Sequence, residues 1–244
     1  MKDLFSQHSF GYKQARPHYS IQIIEEILKY VPELGFAWDC GAGSGQLTQL
    51  LAPYFDHVVA TDISAAQLQH APYFENVSYQ LQPAEQTSIP TQSIDLVTVA
   101  QAIHWFNFDA FYAEVKRVLK PHGVIAVIGY GLIQVQQVEV HNLIEQLYAE
   151  TLNGYWEPER RYIDEQYQTI SFPFHEYPVP QLSLNYSWTA QQLLAYLKTW
   201  SALQHYQTIH SDDPLQHLAQ ALTDAPERFS VTFPIWLRIG TVLA

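Results

Sequence analysis

The stretch Trp38-Asp39-Cys40-Gly41-Ala42-Gly43-Ser44-Gly45-Gln46 joins the apolar end of a predicted strand to three closely spaced glycines. A helical pattern begins near Leu47, so the stretch predicts a strand, a tight loop and a helix. Glycine at the three positions allows a tight turn and removes every Cβ that would hold a ligand away from the main chain. The loop is therefore predicted to hold a nucleotide-like molecule against its backbone.

The spacing of the glycines limits which class of nucleotide the loop can bind. A dinucleotide fingerprint has the order G-x-G-x-x-G, but Gln46 occupies the place of its third glycine. No Gly-Lys-Ser/Thr follows, so the loop is not a P-loop. The Asp39 carboxylate would repel a pyrophosphate, whereas it suits a ligand that carries an ammonium or a sulfonium. We therefore expect a cationic nucleoside, and a nicotinamide oxidoreductase is disfavoured.

An acid after the second predicted strand supports the same interpretation. The strand at 57–61 ends at Asp62, 17 residues past Gly45, where a carboxylate can accept both hydroxyls of a ribose. Ser64 and Gln67 form a predicted capping box, which places Asp62 in the short connection above the sheet. The alternative is that Asp62 only favours the dipole of the following helix.

Strand and helix patterns alternate along most of the chain. Strands are predicted at 36–40, 57–61, 77–81, 94–100, 124–129 and 230–243, with a strand-like run over 172–186. Helical spacing is found in the connections, at 138–152, at 189–203 and from Asp213-Pro214 onward. This alternation predicts an α/β fold with a mostly parallel sheet.

Composition limits the possible partners. The chain has 244 residues, of which 48% are hydrophobic, so one α/β domain with an elaboration is expected. The net charge of −12 disfavours a nucleic acid or an anionic membrane and favours a small-molecule substrate. The single cysteine, Cys40, is interpreted as a packing residue, and the histidines show no metal-ligand spacing. No segment reaches the roughly 18 apolar residues of a membrane span, so a cytoplasmic location is expected.

From Asp39 to Gly45 the chain matches the pattern D-x-G-x-G-x-G and resembles the class I S-adenosylmethionine-dependent methyltransferases of the type 11-like group. The resemblance implies a Rossmann-like, doubly wound, seven-stranded sheet with a helical C-terminal lid. Residues 1–130 are the expected S-adenosylmethionine-binding core with its N-terminal cover, and 131–244 the lid helices and a final strand pair of the same sheet. For the glycine motif alone, an ordinary strand-to-helix turn is the alternative.

The resemblance also implies which residues contact S-adenosylmethionine. The family's D-A-E at the adenine reads Pro83-Ala84-Glu85 here, which leaves the Ala84 backbone and the Glu85 side chain as adenine contacts. The implied cofactor contacts from the core are Asp39, Gly41, Ala42, Gly43, Gly45, Asp62, Ile63, Gln67, Ala84, Glu85 and Gln101.

A tyrosine and arginine segment precedes the first core helix. By resemblance Tyr12 and Arg16 cover the cofactor, and Tyr19 is a substrate contact. Arg16 is expected to pair with a carboxylate of the cofactor or of the substrate, and a tyrosine to cover the sulfonium. The alternative is a surface ion pair for Arg16 and tyrosines that seal the entry to the helix.

The segment Ala102-Ile103-His104-Trp105-Phe106 follows the fourth predicted strand, where open α/β sheets bind ligands. It resembles the subgroup around trans-aconitate methyltransferase, which implies a small organic acid as acceptor. His104 is then the candidate catalytic base and Trp105 a substrate contact. The alternatives are a histidine bonded to backbone and a tryptophan of the core.

The lid is predicted to shape the acceptor pocket, but the sequence does not indicate which of its residues line that pocket. The candidates are Trp156, Arg160, Arg161, Trp188, Trp200 and Tyr206. Aromatic residues at helical spacing are more often core than pocket. Two functions remain open at this stage, namely methyl transfer to a small acceptor, or a regulatory or assembly protein that binds S-adenosylmethionine without catalysis.

Overall fold

The computed structural model describes residues 15–224 and 226–242. In this part of the chain the strands are β1 (Phe36–Cys40), β2 (His57–Asp62), β3 (Val77–Leu81), β4 (Ile94–Ala100), β5 (Leu119–Tyr130), β6 (Gln134–Val135), β7 (His175–Tyr177), β8 (Leu182–Trp188) and β9 (Phe229–Thr241). The α-helices are α1 (Ile21–Leu28), α2 (Thr48–Leu51), α3 (Ala65–Leu68), α4 (Phe108–Val118), α5 (Val138–Gln146), α6 (Arg161–Asp164), α7 (Ala190–Leu197), α8 (Ser201–Ile209) and α9 (Gln216–Ala221). Across these ranges we find no helix long and apolar enough to cross a bilayer.

The strands form one sheet in the order β3-β2-β1-β4-β5-β9. The first five are parallel, β9 is antiparallel to β5, and β8 pairs antiparallel with the other edge of β9. The order reverses between β1 and β4, which is where a doubly wound sheet forms a crevice for ligands. These seven strands confirm the predicted fold class, and the short β6 and β7 add further pairings to β9.

Side chains of the central strands alternate between two cores, one on each face of the sheet. In β4, Leu96 packs in the first core with Ile23 and Ile27 of α1, while Val97 packs in the second with Phe111 of α4. Because both faces are covered by helices, the central strands are almost entirely buried. This packing holds the carboxyl ends of β1, β2 and β4 at one rigid edge.

Side-chain caps begin several helices where the sequence predicts them. Ser64 Oγ accepts the Gln67 N–H at 3.3 Å, and Asn107 Oδ1 accepts the Ala110 N–H at 3.2 Å. Before α7, Thr189 and Gln192 form both hydrogen bonds of a capping box. The connections after β2 and β4 are therefore fixed by local sequence.

The C-terminal half differs from the sequence prediction in its element boundaries. The helix predicted at 189–203 is two helices, because Trp200 adopts an extended conformation and its buried indole packs on Tyr148 and Trp156. The helix predicted at 138–152 changes to a π-helix at Leu147–Thr151. The run at 172–186 is two strands, β7 and β8, and the helix expected from Asp213-Pro214 begins only at Gln216.

Candidate active site

The glycine loop connects β1 to α2 at the reversal of strand order. Gly41, Gly43 and Gly45 have φ angles of +69°, +54° and +76°, a region that side-chain-bearing residues rarely adopt. A Cβ on Gly41 would lie 2.6 Å from the Ala102 Cβ. A Cβ on Gly43 would meet nothing nearer than Gln67 Oε1 at 3.9 Å. The loop is thus packed on one side and open in front of Gly43.

Asp62 closes the loop from the neighbouring strand. Its Oδ2 accepts the Gly43 N–H at 2.9 Å, and its Oδ1 accepts the Ser64 N–H at 2.8 Å. Two further hydrogen bonds join the loop to β2, since the Gly41 and Ala42 N–H groups donate to the Thr61 carbonyl oxygen at 2.8 and 3.0 Å. These bonds fix the Asp62 carboxylate beside the loop, and a carboxylate oxygen is the kind of acceptor that a ribose hydroxyl requires.

Asp39 lies inside the sheet beside the loop and is 1% exposed. Its Oδ2 accepts the Thr48 hydroxyl at 2.6 Å and its Oδ1 the Thr98 hydroxyl at 3.0 Å. Burial raises the pKa of Asp39 from 3.8 to about 6 despite these two bonds. The carboxylate therefore acts on a ligand through its charge, and a nearby cation would favour its ionised form.

The predicted adenine contacts have their own partners in the fold. Ala84 is buried in the second core, and Glu85 Oε1 accepts the Asn107 N–H at 3.0 Å. Glu85 thereby fixes the start of α4. Ile63 precedes the N-cap of α3, and Gln67 within α3 lies near the open side of the loop, since its Oε1 would be 3.9 Å from a Cβ on Gly43. Adenine recognition by Ala84 and Glu85 stays a prediction.

A cavity of about 70 Å³ opens at the carboxyl ends of β4 and β5. Its wall from the core includes Gln101, His104 and Trp105. Residues far along the chain supply the rest, and those used below are the charged Arg16, Glu157 and Arg160 and the aromatic Trp156, Tyr196 and Trp200. The C-terminal helices thus reach over the sheet edge as expected of a lid.

Arg160 lines the cavity and is held by neighbouring side chains. Nε donates to the Tyr148 hydroxyl at 3.0 Å and lies 3.5 Å from Asp164 Oδ1. The guanidinium carbon lies 5.3 Å from the ring centroid of Tyr148 and 5.1 Å from that of Trp156. Within residues 15–224 and 226–242, its two terminal nitrogens have no hydrogen-bond partner. Arg160 therefore offers a preoriented pair of donors to an anion.

His104 is 6% exposed and contacts a residue that the sequence did not indicate. Its Nδ1 lies 3.1 Å from the Tyr167 hydroxyl, and its ring packs on Trp105 with centroids 4.9 Å apart. Burial first, and then the charges of Arg160 and Arg16, lower the pKa of His104 from 6.5 to about 3. His104 is therefore neutral at physiological pH and a weak base.

The structure separates the lid candidates. Trp156, Arg160 and Trp200 line the cavity, and so does Arg16, whose Nη2 donates to the Thr199 carbonyl oxygen at 3.5 Å. Trp188 is instead a core residue packed on Tyr196 and Phe233, Tyr206 bonds Asp212, and the exposed Arg161 bonds Tyr162. Tyr19 packs beside the first core rather than on this cavity, and Tyr12 lies outside the described residues. The ligand contacts expected of Tyr12 and Tyr19 stay predictions.

Sequence reasoning missed Tyr167, Tyr130 and Tyr196, which come from three separate parts of the chain. Tyr167 is completely buried and has a φ angle of +59°, which is unusual for a residue with a bulky side chain. None of the three lies in a motif, because a buried tyrosine in the core and one in a pocket have the same sequence pattern. Only the folded arrangement brings Tyr167 to Gln101 and His104, Tyr130 to Gln101, and Tyr196 to the wall of the same cavity.

Comparison with known proteins agrees with this geometry. Residues 38–127 match the methyltransferase domain family. A protein of Dictyostelium discoideum whose name assigns it as a methyltransferase is 35% identical over 96% of this chain and 93% of its own length. A solved structure described as a type II methyltransferase from Anaeromyxobacter dehalogenans is 39% identical, with a TM-score of 0.87 over 93% of this chain and 98% of that one.

A more distant structure shares the fold alone. It is phosphoethanolamine N-methyltransferase 2 of Haemonchus contortus in complex with S-adenosyl-L-methionine, at 15% identity and a TM-score of 0.51. The structural match covers 98% of the chain described here and 58% of the Haemonchus contortus chain. The chain described here belongs to the class I S-adenosylmethionine-dependent methyltransferases. It is therefore an enzyme, and its methyl donor is S-adenosylmethionine.

The residues of the site fit this methyl donor. The space in front of Gly43 is one that a Cβ would enter, and loop amide groups are suited to a nearby polar ligand. Asp62 has acceptor capacity for the ribose hydroxyls, and Asp39 supplies a buried negative charge for the cationic part. These residues would hold the donor with its activated methyl group at the sheet edge that also borders the cavity.

Proposed function

We propose that the enzyme methylates a carboxylate oxygen of a small organic acid bound in the cavity beside His104. The observation that supports this most is the guanidinium group of Arg160, which lines the cavity and whose terminal nitrogens have no hydrogen-bond partner among the described residues. A planar pair of N–H donors matches a carboxylate in geometry and charge.

The surroundings of Arg160 strengthen its preference for an anion. Its Nε is already engaged by Tyr148 and Asp164, so the orientation of the guanidinium is fixed before a ligand binds. Arg16 lies on the same wall. Glu157 is the acid of this wall, and it lies 3.7 Å from His205 Nε2. A cationic amine would meet two arginines here, which disfavours an amine acceptor.

The size and lining of the cavity support a small acceptor. About 70 Å³ is room for a few atoms of a ligand and not for a nucleic acid or protein segment. The aromatic rings of Trp105, Trp156 and Trp200 provide an apolar wall for the carbon skeleton. The resemblance of the segment at 102–106 to the trans-aconitate methyltransferase subgroup favours the same class of acceptor.

A carboxylate acceptor requires no base, which agrees with the weak basicity of His104. Its oxygen forms the C–O bond as the S–C bond breaks, sulfur keeps the electron pair, and the two opposite charges disappear. The contribution of the protein is alignment and exclusion of water, which together can supply roughly 7 to 11 kcal/mol. Arg160 and Arg16 hold the carboxylate, and the aromatic wall excludes water.

The test is methyl transfer with a panel of small acids, alcohols and amines, followed by product identification. We expect methyl esters from acids and no product from the other two classes. In Arg160→Gln the KM for the acid should rise about tenfold or more, while calorimetry shows unchanged binding of S-adenosylmethionine. The matched control is Arg161→Gln, which removes the same charge from an exposed side chain outside the cavity.

Methylation of an alcohol or an amine in preference to every acid would contradict the proposal. So would equal effects of Arg160→Gln and Arg161→Gln on the KM. The cytoplasmic location expected from the sequence stays a prediction.

A further inference from the structure

Three side chains form a hydrogen-bonded chain from the sheet to the cavity. Gln101 Nε2 donates to the Tyr130 carbonyl oxygen at 3.0 Å. The Tyr167 hydroxyl donates to Gln101 Oε1 at 3.5 Å, and the same hydroxyl lies 3.1 Å from His104 Nδ1. The Tyr130 carbonyl oxygen at one end can only accept, and this determines which atom donates in each of the three hydrogen bonds.

The order of donors follows from chemistry. A backbone carbonyl only accepts, so the end of the Gln101 amide that faces Tyr130 is its NH₂ group. The end that faces Tyr167 is then the oxygen, which also only accepts. Tyr167 has one hydroxyl proton, and it must point to Gln101. His104 can then bond Tyr167 only by donating its own Nδ1 proton.

The other nitrogen of the imidazole is consequently a lone-pair acceptor. His104 Nε2 has no hydrogen-bond partner within the described ranges 15–224 and 226–242. This atom is also not one of the completely buried polar atoms of these ranges that lack a partner. His104 lines the same cavity as Arg160. The cavity thus contains a pair of N–H donors at one point and a neutral nitrogen acceptor at another.

We infer that the acceptor substrate is a small hydroxy acid, whose carboxylate binds Arg160 and whose hydroxyl donates to His104 Nε2, with Tyr167 as the positioning residue that fixes the His104 tautomer. This inference rests on the proposed function and specifies its substrate class. The hydroxyl serves for recognition and keeps its proton, since His104 is too weak a base to remove it. The methylated atom remains the carboxylate oxygen.

The fold holds Tyr167 in this role. Its ring covers Gly129 of β5 so closely that a Cβ there would lie 2.6 Å from Tyr167 Cε2. Arg238 Nη1 donates to its backbone carbonyl at 2.8 Å. A residue held with a positive φ and no exposure has little freedom to turn its hydroxyl elsewhere.

The first test reads the tautomer directly. Nitrogen NMR of ¹⁵N-histidine-labelled protein, with His104 assigned from His104→Gln, should show Nδ1 protonated and Nε2 unprotonated at pH 7. In Tyr167→Phe, which keeps the ring and removes the hydroxyl, the signals should shift toward a mixture of tautomers. A wild-type His104 that carries its proton on Nε2 would overturn the inference without reference to activity.

The second test compares matched small acids, such as glycolate with acetate and lactate with propionate. The wild-type enzyme should favour the hydroxy member by about tenfold or more in kcat/KM, because the deoxy member leaves His104 Nε2 without a donor. Tyr167→Phe should remove most of this preference and change kcat/KM of the deoxy acid much less. Calorimetry of the same acids in the presence of S-adenosylhomocysteine should show the same preference in binding.

A matched control separates the hydroxyl from general effects on packing. Tyr112 is a second buried tyrosine, and its hydroxyl has no hydrogen-bond partner in the part of the chain that the structure describes. Tyr112→Phe should therefore leave the tautomer and the substrate preference unchanged, and thermal unfolding of both variants reports whether each is folded. If esters formed equally from both members of every pair, the inference of a hydroxy acid substrate would be overturned, while the proposed function would still hold. Ether products, or no reaction with any acid, would remove the proposed function and the hydroxy acid together.

Discussion

Arg238 Nη1 donates a 2.8 Å hydrogen bond to the backbone carbonyl oxygen of Tyr167, 71 residues earlier in the chain. The same nitrogen donates to the Ile170 carbonyl oxygen at 2.8 Å, while Nε and Nη2 each bond the Glu176 carboxylate at 2.8 Å. Arg238 lies in β9 and is 8% exposed. One guanidinium therefore ties the last strand, β7 and the segment at 167–170 together behind the cavity.

Arg238→Lys should lower the free energy of unfolding by about 3 kcal/mol, because an ammonium cannot make the bidentate pair and both carbonyl bonds at once. The KM for the acid should rise as Tyr167 loosens, whereas the Kd for S-adenosylmethionine should not change. Chemical denaturation and calorimetry measure these quantities. Arg228→Lys is the control, since Arg228 is exposed and, among the described residues, its side chain bonds Ser187 alone. If Arg238→Lys weakened the binding of S-adenosylmethionine as much as it raised the KM for the acid, the effect of Arg238 would not be specific to the cavity.

Asp39 should make both stability and donor binding depend on pH. Burial raises the pKa of Asp39 in the folded protein from 3.8 to about 6, so its contribution to stability is complete below pH 3.8 and is lost as the pH rises through about 6. At pH 8 the buried charge costs about 3 kcal/mol. Asp39→Asn should therefore be more stable than the wild type by most of this amount at pH 8 and by about half of it at pH 5, and similar to the wild type near pH 3.5, measured by denaturation without ligand.

Binding should show the opposite trend for the same reason. A cationic donor favours the ionised carboxylate, so the affinity of the wild type for S-adenosylmethionine should increase as the pH rises through about 6. Asp39→Asn should bind more weakly at pH 8 and show a flatter profile by calorimetry. Parallel profiles for the two proteins would exclude Asp39 as the source of the pH dependence.

Asp62→Asn should weaken S-adenosylmethionine binding about 10- to 100-fold. An amide presents one acceptor where the carboxylate uses two, so either the Gly43 or the Ser64 N–H loses its partner and the ribose loses a charged acceptor. Calorimetry measures the Kd, and thermal unfolding should show a small loss of stability. Asp56→Asn makes the same charge change at an exposed position before β2 and should have no effect on the Kd. An unchanged Kd in Asp62→Asn would remove Asp62 from the donor site.

Substituting alanine for Gly41 or for Gly43 should distinguish the cost of backbone strain from that of a steric clash. Both Gly41→Ala and Gly43→Ala place a side chain at positive φ, which costs about 1 to 2 kcal/mol. Gly41→Ala adds a clash with Ala102 and should be clearly the less stable protein by chemical denaturation. Gly43→Ala should be folded but should bind S-adenosylmethionine poorly, because its methyl group enters the space in front of the loop. Equal stabilities for the two variants would contradict this assignment of the two glycines.

The sequence by itself determined most of the parallel half of the sheet and the glycine loop at its edge. The strands β1 to β4, the glycine loop, Asp62 and the caps at Ser64 and Thr189 are each specified by residues close together in the chain. Backbone conformations at glycine, helix caps and apolar periodicity are local properties, so local patterns identify them. The family resemblance through Asp39 to Gly45 has the same local origin.

Only the tertiary structure decided the composition of the acceptor cavity. Arg160 and Arg161 are adjacent and identical in type, yet one faces the cavity and the other faces solvent. Trp188 ends β8 and packs in the core, whereas Trp200 lies in the extended break between two helices and reaches the cavity. These outcomes depend on which distant surfaces pack together, and side-chain packing is a property of the whole fold rather than of any segment. Tyr167 acquired its place beside His104 in the same way, through Gly129 and Arg238.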